Sequence, residues 1–221
     1  MTLRIMAAVT GAVLCLAAVI AVGGNVDPLP GDSLYQLPIT LTTASGASMK
    51  LSVLRGTPSV ITMFYSQCAS VCPLLTMQLQ RITQRLSRAE QGRIRVLMVS
   101  FDSVHDTPES LRAFAQEHHI AGDNWIIARA SANDVRLLAA TLGIQYRELP
   151  DHSFNHSTII SLADREGVIR DKTSDLSDVK GDFVAAVRLL AKAPRRAGTG
   201  STGRGGDAAG DRLSDWLTKA N

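Results

Sequence analysis

Two cysteines four positions apart are the residues of this sequence best suited to do chemistry. They stand in the run Ser66-Gln67-Cys68-Ala69-Ser70-Val71-Cys72-Pro73. A dense apolar stretch precedes the pair and a helix-like pattern follows it, so the thiols fall at a strand-to-helix junction. Positive potential at a helix N-terminus favours thiolate over thiol there. Two thiolates can hold a soft cation such as Cu(I) or Zn(II), or they can close into a disulfide. A bridge across three intervening residues removes little entropy from the unfolded chain, so a purely stabilising role explains the pair poorly. The spacing alone does not separate metal binding from thiol redox work.

Five histidines supply candidate third ligands. His156 lies beside a strand pattern at Ser157 to Leu162, after a loop containing Pro150, Asp151 and Ser153. Loops at one end of the strands of an open α/β sheet share a site edge. An imidazole beside two thiolates completes a three-coordinate set able to hold copper in both oxidation states. His152 is the nearby competitor. His118 and His119 end a helical pattern, where positive charge complements the helix C-terminus. His105 reads as a solvated loop residue, and Met63, Met77 and Met98 fall on apolar patterns and read as core.

The elements that must position these groups are legible in outline. Leu37 to Thr43 and Ser48 to Val53 form an expected hairpin across Ala44 to Ala47. Ser59 to Tyr65 has the continuous apolar character of a strand buried on both faces. Leu75, Leu79, Ile82 and Leu86 give helical spacing over Pro73 to Leu86, with Cys72 and Pro73 in its first turn. A strand at Arg93 to Phe101 follows, then a helix opened by Asp106, Thr107 and Pro108. After them come a strand at Trp125 to Ala128, a helix from Asn133 to Leu142 stopped by Gly143, and the strand at Ser157 to Leu162. A turn at Asp164 to Gly167, a strand at Val168 to Asp171 and a helix at Asp182 to Lys192 complete the pattern. Strands alternating with helices predict an α/β domain of thioredoxin-like order, with an N-terminal β-hairpin and a mainly parallel central sheet.

The flanks read differently. Arg4 precedes an uncharged run of 18 residues, Ile5 to Val22, which predicts a signal or membrane anchor with the following domain on the non-cytoplasmic, periplasmic side. Leu14 stands before Cys15 where a lipoprotein signal needs a small residue, so Cys15 reads as an apolar filler. The organisation expected is an anchor at 1–24, a Pro/Gly linker at 25–31, one domain at 32–193, and a flexible Gly/Arg-rich tail at 194–221. Leu213, Trp216 and Leu217 have helical spacing near the end. A net charge of only +3 and an aromatic content of 5% give no footprint for nucleic acid.

Four motifs in order resemble the Sco/SenC family. They are Phe64 to Pro73 with its Cys-x-x-x-Cys-Pro, Val99-Ser100-Phe101-Asp102, Asp106-Thr107-Pro108-Glu109, and Asn155-His156-Ser157. The resemblance spans about residues 32 to 192. It implies a thioredoxin fold, a membrane tether, and copper held by Cys68, Cys72 and His156. It also implies a metallochaperone rather than an enzyme in the turnover sense, delivering copper to the copper-site subunit of a respiratory oxidase in cytochrome c oxidase assembly. The alternative is a membrane-tethered thiol-disulfide oxidoreductase in which Cys68 attacks and Cys72 resolves. The chain departs from the family pattern at three places. Ala69-Ser70 replaces Pro-Asp after the first cysteine, Asn155 replaces Asp before the late histidine, and Ser103-Val104-His105 stands where Pro and charged residues are common. The first two remove a carboxylate near the site, which bears on affinity and redox potential.

Overall fold

The computed structural model describes residues 28–176 and 181–193. The expected anchor at 1–24, Cys15 within it, the start of the linker and the stretch from 194 onward lie outside the described residues. Among the described residues no helix is long and apolar enough to cross a membrane.

The hairpin forms from β1 (Thr40–Thr43) and β2 (Ser48–Lys50), paired antiparallel. Its second strand is shorter than the pattern suggests, because Leu51–Leu54 coils into a 3-10 turn that buries Leu51 and Leu54. Strand β3 (Ser59–Phe64) is buried at every position. Helix α1 (Val71–Gln84) turns Cys72, Leu75, Leu79 and Ile82 inward, as the spacing requires. A single helical turn, α2 (Arg88–Gln91), follows; its Ser87–Glu90 capping box is the local signal for it.

Strand β4 (Arg95–Ser100) then leads to helix α3 (Pro108–Glu117). Thr107 caps α3 by accepting from Ser110 N, and Pro108 occupies the first turn, where no N–H is needed. Next come β5 (Trp125–Ala130) and α4 (Ala132–Leu142). Gly143 ends α4 at φ 77°, a left-handed conformation that a side chain would strain. The rest is β6 (Tyr146–Glu148), β7 (Phe154–His156), β8 (Ile160–Ala163), β9 (Ile169–Thr173) and α5 (Gly181–Lys192).

Seven strands form one sheet in the order β2-β1-β5-β4-β3-β8-β9. Helical crossovers make β3, β4 and β5 parallel in the middle. Strands β1 and β8 join that parallel core antiparallel, on β5 and β3. The result is an α/β, thioredoxin-like fold whose parallel strands are its central three. Phe64 and Ser100 sit side by side at the ends of β3 and β4, so the segments leaving both strands emerge at one sheet edge. Strand β8 runs the opposite way and begins at that edge, bringing residues 154–159 to it.

The single strand expected at Ser157 to Leu162 is the one substantial difference. Residues 154–156 instead pair with Tyr146–Glu148 in a separate two-stranded ribbon, and β8 starts only at Ile160. Three-residue strands are too short to display an alternating pattern.

Candidate metal centre

The cysteine loop is held by what lies beneath it. Tyr65 and Ser66 leave β3, Cys68 N donates to Tyr65 O at 3.3 Å, and α1 begins at Val71. Cys72 sits in the first helical turn, where its own N–H is directed at Cys68 Sγ at 3.4 Å. Both thiols are buried and unbridged.

The two sulfurs are inequivalent. The Cys72 thiol donates to Cys68, and the His156 ring and the Cys72 and Ser70 backbone N–H groups add to it, so Cys68 is held far below the ordinary thiol range, against its burial. Cys72 is pushed up by donating to Cys68 and by burial. One buried thiolate beside one thiol is the arrangement of a site that gains a cation and releases a proton.

His156 closes the site from the ribbon. It ends β7 opposite Tyr146, and its ring nitrogen and the two Sγ atoms all lie within 4.8 Å of one another. Among the described residues this is the one group of three or more His, Cys, Asp or Glu side chains with metal-ligand proximity. His156 Nδ1 lies 3.2 Å from Ser157 O. A carbonyl only accepts, so an Nδ1 proton is held there and Nε2 is the nitrogen left for the sulfurs, as donor to Cys68 while it carries a proton and as ligand once a cation displaces that proton.

Sequence reasoning missed what holds His156 there. Tyr65, Phe101, Tyr146 and Phe154 form a ring cluster around it. Phe101 stacks on Tyr146 with centroids 5.4 Å apart, and the His156 ring is 4.9 Å from Phe101 and 6.0 Å from Tyr65. Phe154 packs 5.1 Å from both Tyr65 and Phe101. Two hydrogen bonds between Gln145 and Ser157 and one from Thr62 Oγ1 to Ile159 O fix the chain on either side.

Asp106 also emerges with a part its helix-start pattern did not reveal. Its carboxylate is 1% exposed and accepts from Ser66 N at 3.0 Å, from the Ser66 and Ser100 hydroxyls, and from Ser110 Oγ at 3.3 Å. It thus ties the cysteine loop to the end of β4 and the start of α3.

The other candidates separate cleanly. His152 is in the β6–β7 turn, with Nδ1 on Glu148 at 2.8 Å, and is not part of the thiolate group. His118 is the C-cap residue of α3, with its ring against Phe114, in line with the capping reading. Met63 and Met98 are core. Ser70 Oγ lies 4.0 Å from Cys68 Sγ, so the carboxylate missing at position 70 is missing from the site itself. Asn155 is exposed, and alternation along β7 puts it on the face opposite His156.

The SCO1/SenC family model matches residues 29–191. The chain belongs to the SCO1/SenC family. A SCO1 protein homolog of Bacillus subtilis (strain 168) is 27% identical over 88 residues, which is 40% of this chain and 45% of that protein. The chain thus aligns with somewhat less than half the length of this curated relative.

Two solved Sco structures share the fold. BsSco, described as a member of the Sco family of cytochrome c oxidase assembly proteins with a disulfide switch, aligns at TM-score 0.63 and 19% identity, over 75% of this chain and 99% of that one. Copper-bound ScoI of Bradyrhizobium japonicum aligns at TM-score 0.59 and 18% identity, over 70% and 98%.

Proposed function

We propose that this Sco protein is a copper metallochaperone that takes its ion on Cys68, Cys72 and His156 and passes it by ligand exchange to the copper-site subunit of a respiratory oxidase. The observation that carries this reading is the convergence of two buried sulfurs and one imidazole within 4.8 Å, from the cysteine loop, α1 and the ribbon. Two sulfurs favour Cu(I), and the imidazole makes the set acceptable to Cu(II), so hard cations are poor competitors. The copper-bound relative and the oxidase-assembly relative support the choice of cargo and recipient. In this reading the run Ile5 to Val22 tethers the domain at 32–193 to the outer face of a membrane. Recovery of full-length protein in the membrane fraction tests the tether.

The test of the cargo is copper titration of the reduced full-length protein. One equivalent should bind, and Cys68→Ser, Cys72→Ser and His156→Ala should each lose most of the affinity. Tight binding by His156→Ala together with loss in His152→Ala would reassign the third ligand.

A second reading, thiol-disulfide exchange, is favoured by the asymmetry of the sulfurs. Cys68 held as thiolate is suited to attack, and Cys72, as the buried thiol, to resolve. The readings part at His156. Exchange needs only the sulfurs, so His156→Ala should abolish oxidase maturation while leaving the dithiol potential in a glutathione buffer nearly unchanged. Normal maturation in that strain would favour exchange.

A further inference from the structure

His105 and His152 are 47 positions apart in sequence and meet at the surface, and neither belongs to the thiolate–imidazole group. Their rings lie 5.4 Å apart, centroid to centroid, at 63°. Each is oriented by a carboxylate behind it. His105 Nδ1 lies 3.0 Å from Asp102 Oδ2, and His152 Nδ1 lies 2.8 Å from Glu148 Oε1. Carboxylates accept, so in the neutral rings both Nδ1 atoms carry the proton and both Nε2 lone pairs stay free. A carboxylate behind each imidazole is the usual support of a metal-ligating histidine.

The supports are themselves fixed. Asp102 is 3% exposed, and its Oδ1 also accepts from Val104 N and His105 N, so the carboxylate that orients the His105 ring is itself held in place. His152 stands at φ 61°, a left-handed conformation, in a turn closed by His152 N to Leu149 O and Leu149 N to Ser153 O. The ring separation suits a shared ion. Two imidazoles on one ion through bonds of about 2.0 Å, at square-planar or tetrahedral angles, have centroids about 4.5–5.5 Å apart.

We propose that His105 and His152 form a second, solvent-facing metal site for a divalent transition ion, with Cu(II) preferred over Zn(II). An ion there joins the β4–α3 loop to the tip of the ribbon whose base carries His156. His105 belongs to the loop where this chain departs from the Sco pattern. The site is independent of whichever ion the thiolates hold.

The test uses the full-length chain with Cys15, Cys68 and Cys72 all changed to serine, which removes every thiol, and Cu(II) supplied as its glycine complex. One Cu(II) should bind, with two-nitrogen hyperfine structure in its electron paramagnetic resonance spectrum. His105→Gln or His152→Gln should weaken binding at least about tenfold, and Glu148→Gln, on an exposed side chain, about tenfold. His118→Gln, His119→Gln and His156→Ala should leave it unchanged. Circular dichroism of each variant should match the parent, since both rings are at the surface. Absence of bound Cu(II), binding that survives His105→Gln and His152→Gln, or binding lost with His156→Ala would each overturn the proposal.

Discussion

The two sides of the thiolate–imidazole centre are built by different physics. The cysteines hang from β3, which is hydrogen-bonded to strands on both sides, and from the start of a helix that buries seven of its residues. The histidine hangs from a two-stranded ribbon that is not part of the seven-stranded sheet. Rings, not a strand ladder, hold the ribbon to the sheet edge. Backbone pairing fixes the sulfurs within the cooperative core, whereas side-chain packing sets the imidazole and can be adjusted one residue at a time. On the proposed reading, in which the ion is passed on, release is eased by having one ligand on the less deeply anchored side.

The largest expected effect comes from removing the ring at the centre of the ribbon's attachment. Phe101 is 2% exposed and touches Tyr65, Tyr146, Phe154 and His156. Phe101→Ala should cost about 3–5 kcal/mol in urea unfolding and weaken copper binding with both cysteines intact. Unchanged copper affinity in the folded variant would break the contrast, because the ribbon would then position His156 without its ring support.

On the cysteine side, Asp106→Ala leaves Ser66 N and buried hydroxyls without their acceptor and should cost about 3 kcal/mol. Asp106→Asn keeps an acceptor and the shape, so it should recover part of that loss. Equal losses in both variants would mean that the carboxylate charge, rather than the geometry of the tie, holds the loop.

A smaller effect concerns the protons on the sulfurs. Hydrogen bonds from Cys72 and His156 lower the Cys68 pKa, so its thiolate persists as the pH falls. Alkylation of Cys68 in the reduced apoprotein should therefore be nearly flat from about pH 8 to about pH 5, with Cys72 unreactive. An ordinary thiol would slow about tenfold per pH unit over that range, and such a profile would show that the donors do not hold the thiolate. His156→Ala removes one donor, and the flat region should end at a higher pH.

The same division governs how much was legible beforehand. The cysteine side is local in sequence: a continuous apolar strand, a helical repeat through Leu75, Leu79 and Ile82, and the Cys-x-x-x-Cys-Pro between them announce both geometry and chemistry. The parallel core and the stop at Gly143 were likewise readable from crossovers and a C-terminal glycine. The ribbon was not, because its strands have three residues each and its attachment joins positions 65, 101, 146 and 154, which no periodicity connects. Asp106 could be read only as a helix-opening residue, since its partners Ser66 and Ser100 lie in other segments. His105 reads as a solvated loop residue and is exposed in a turn; what the sequence does not show is its neighbour His152, 47 positions away.

The central claim, that ribbon and cysteine loop together make one copper site, is tested most directly by X-ray absorption on the full-length protein loaded with one equivalent of Cu(I). The parent should show two sulfur ligands and one imidazole nitrogen, and His156→Ala should lose the nitrogen while keeping both sulfurs. A spectrum unchanged by His156→Ala, or a nitrogen lost with His152→Ala instead, would contradict it.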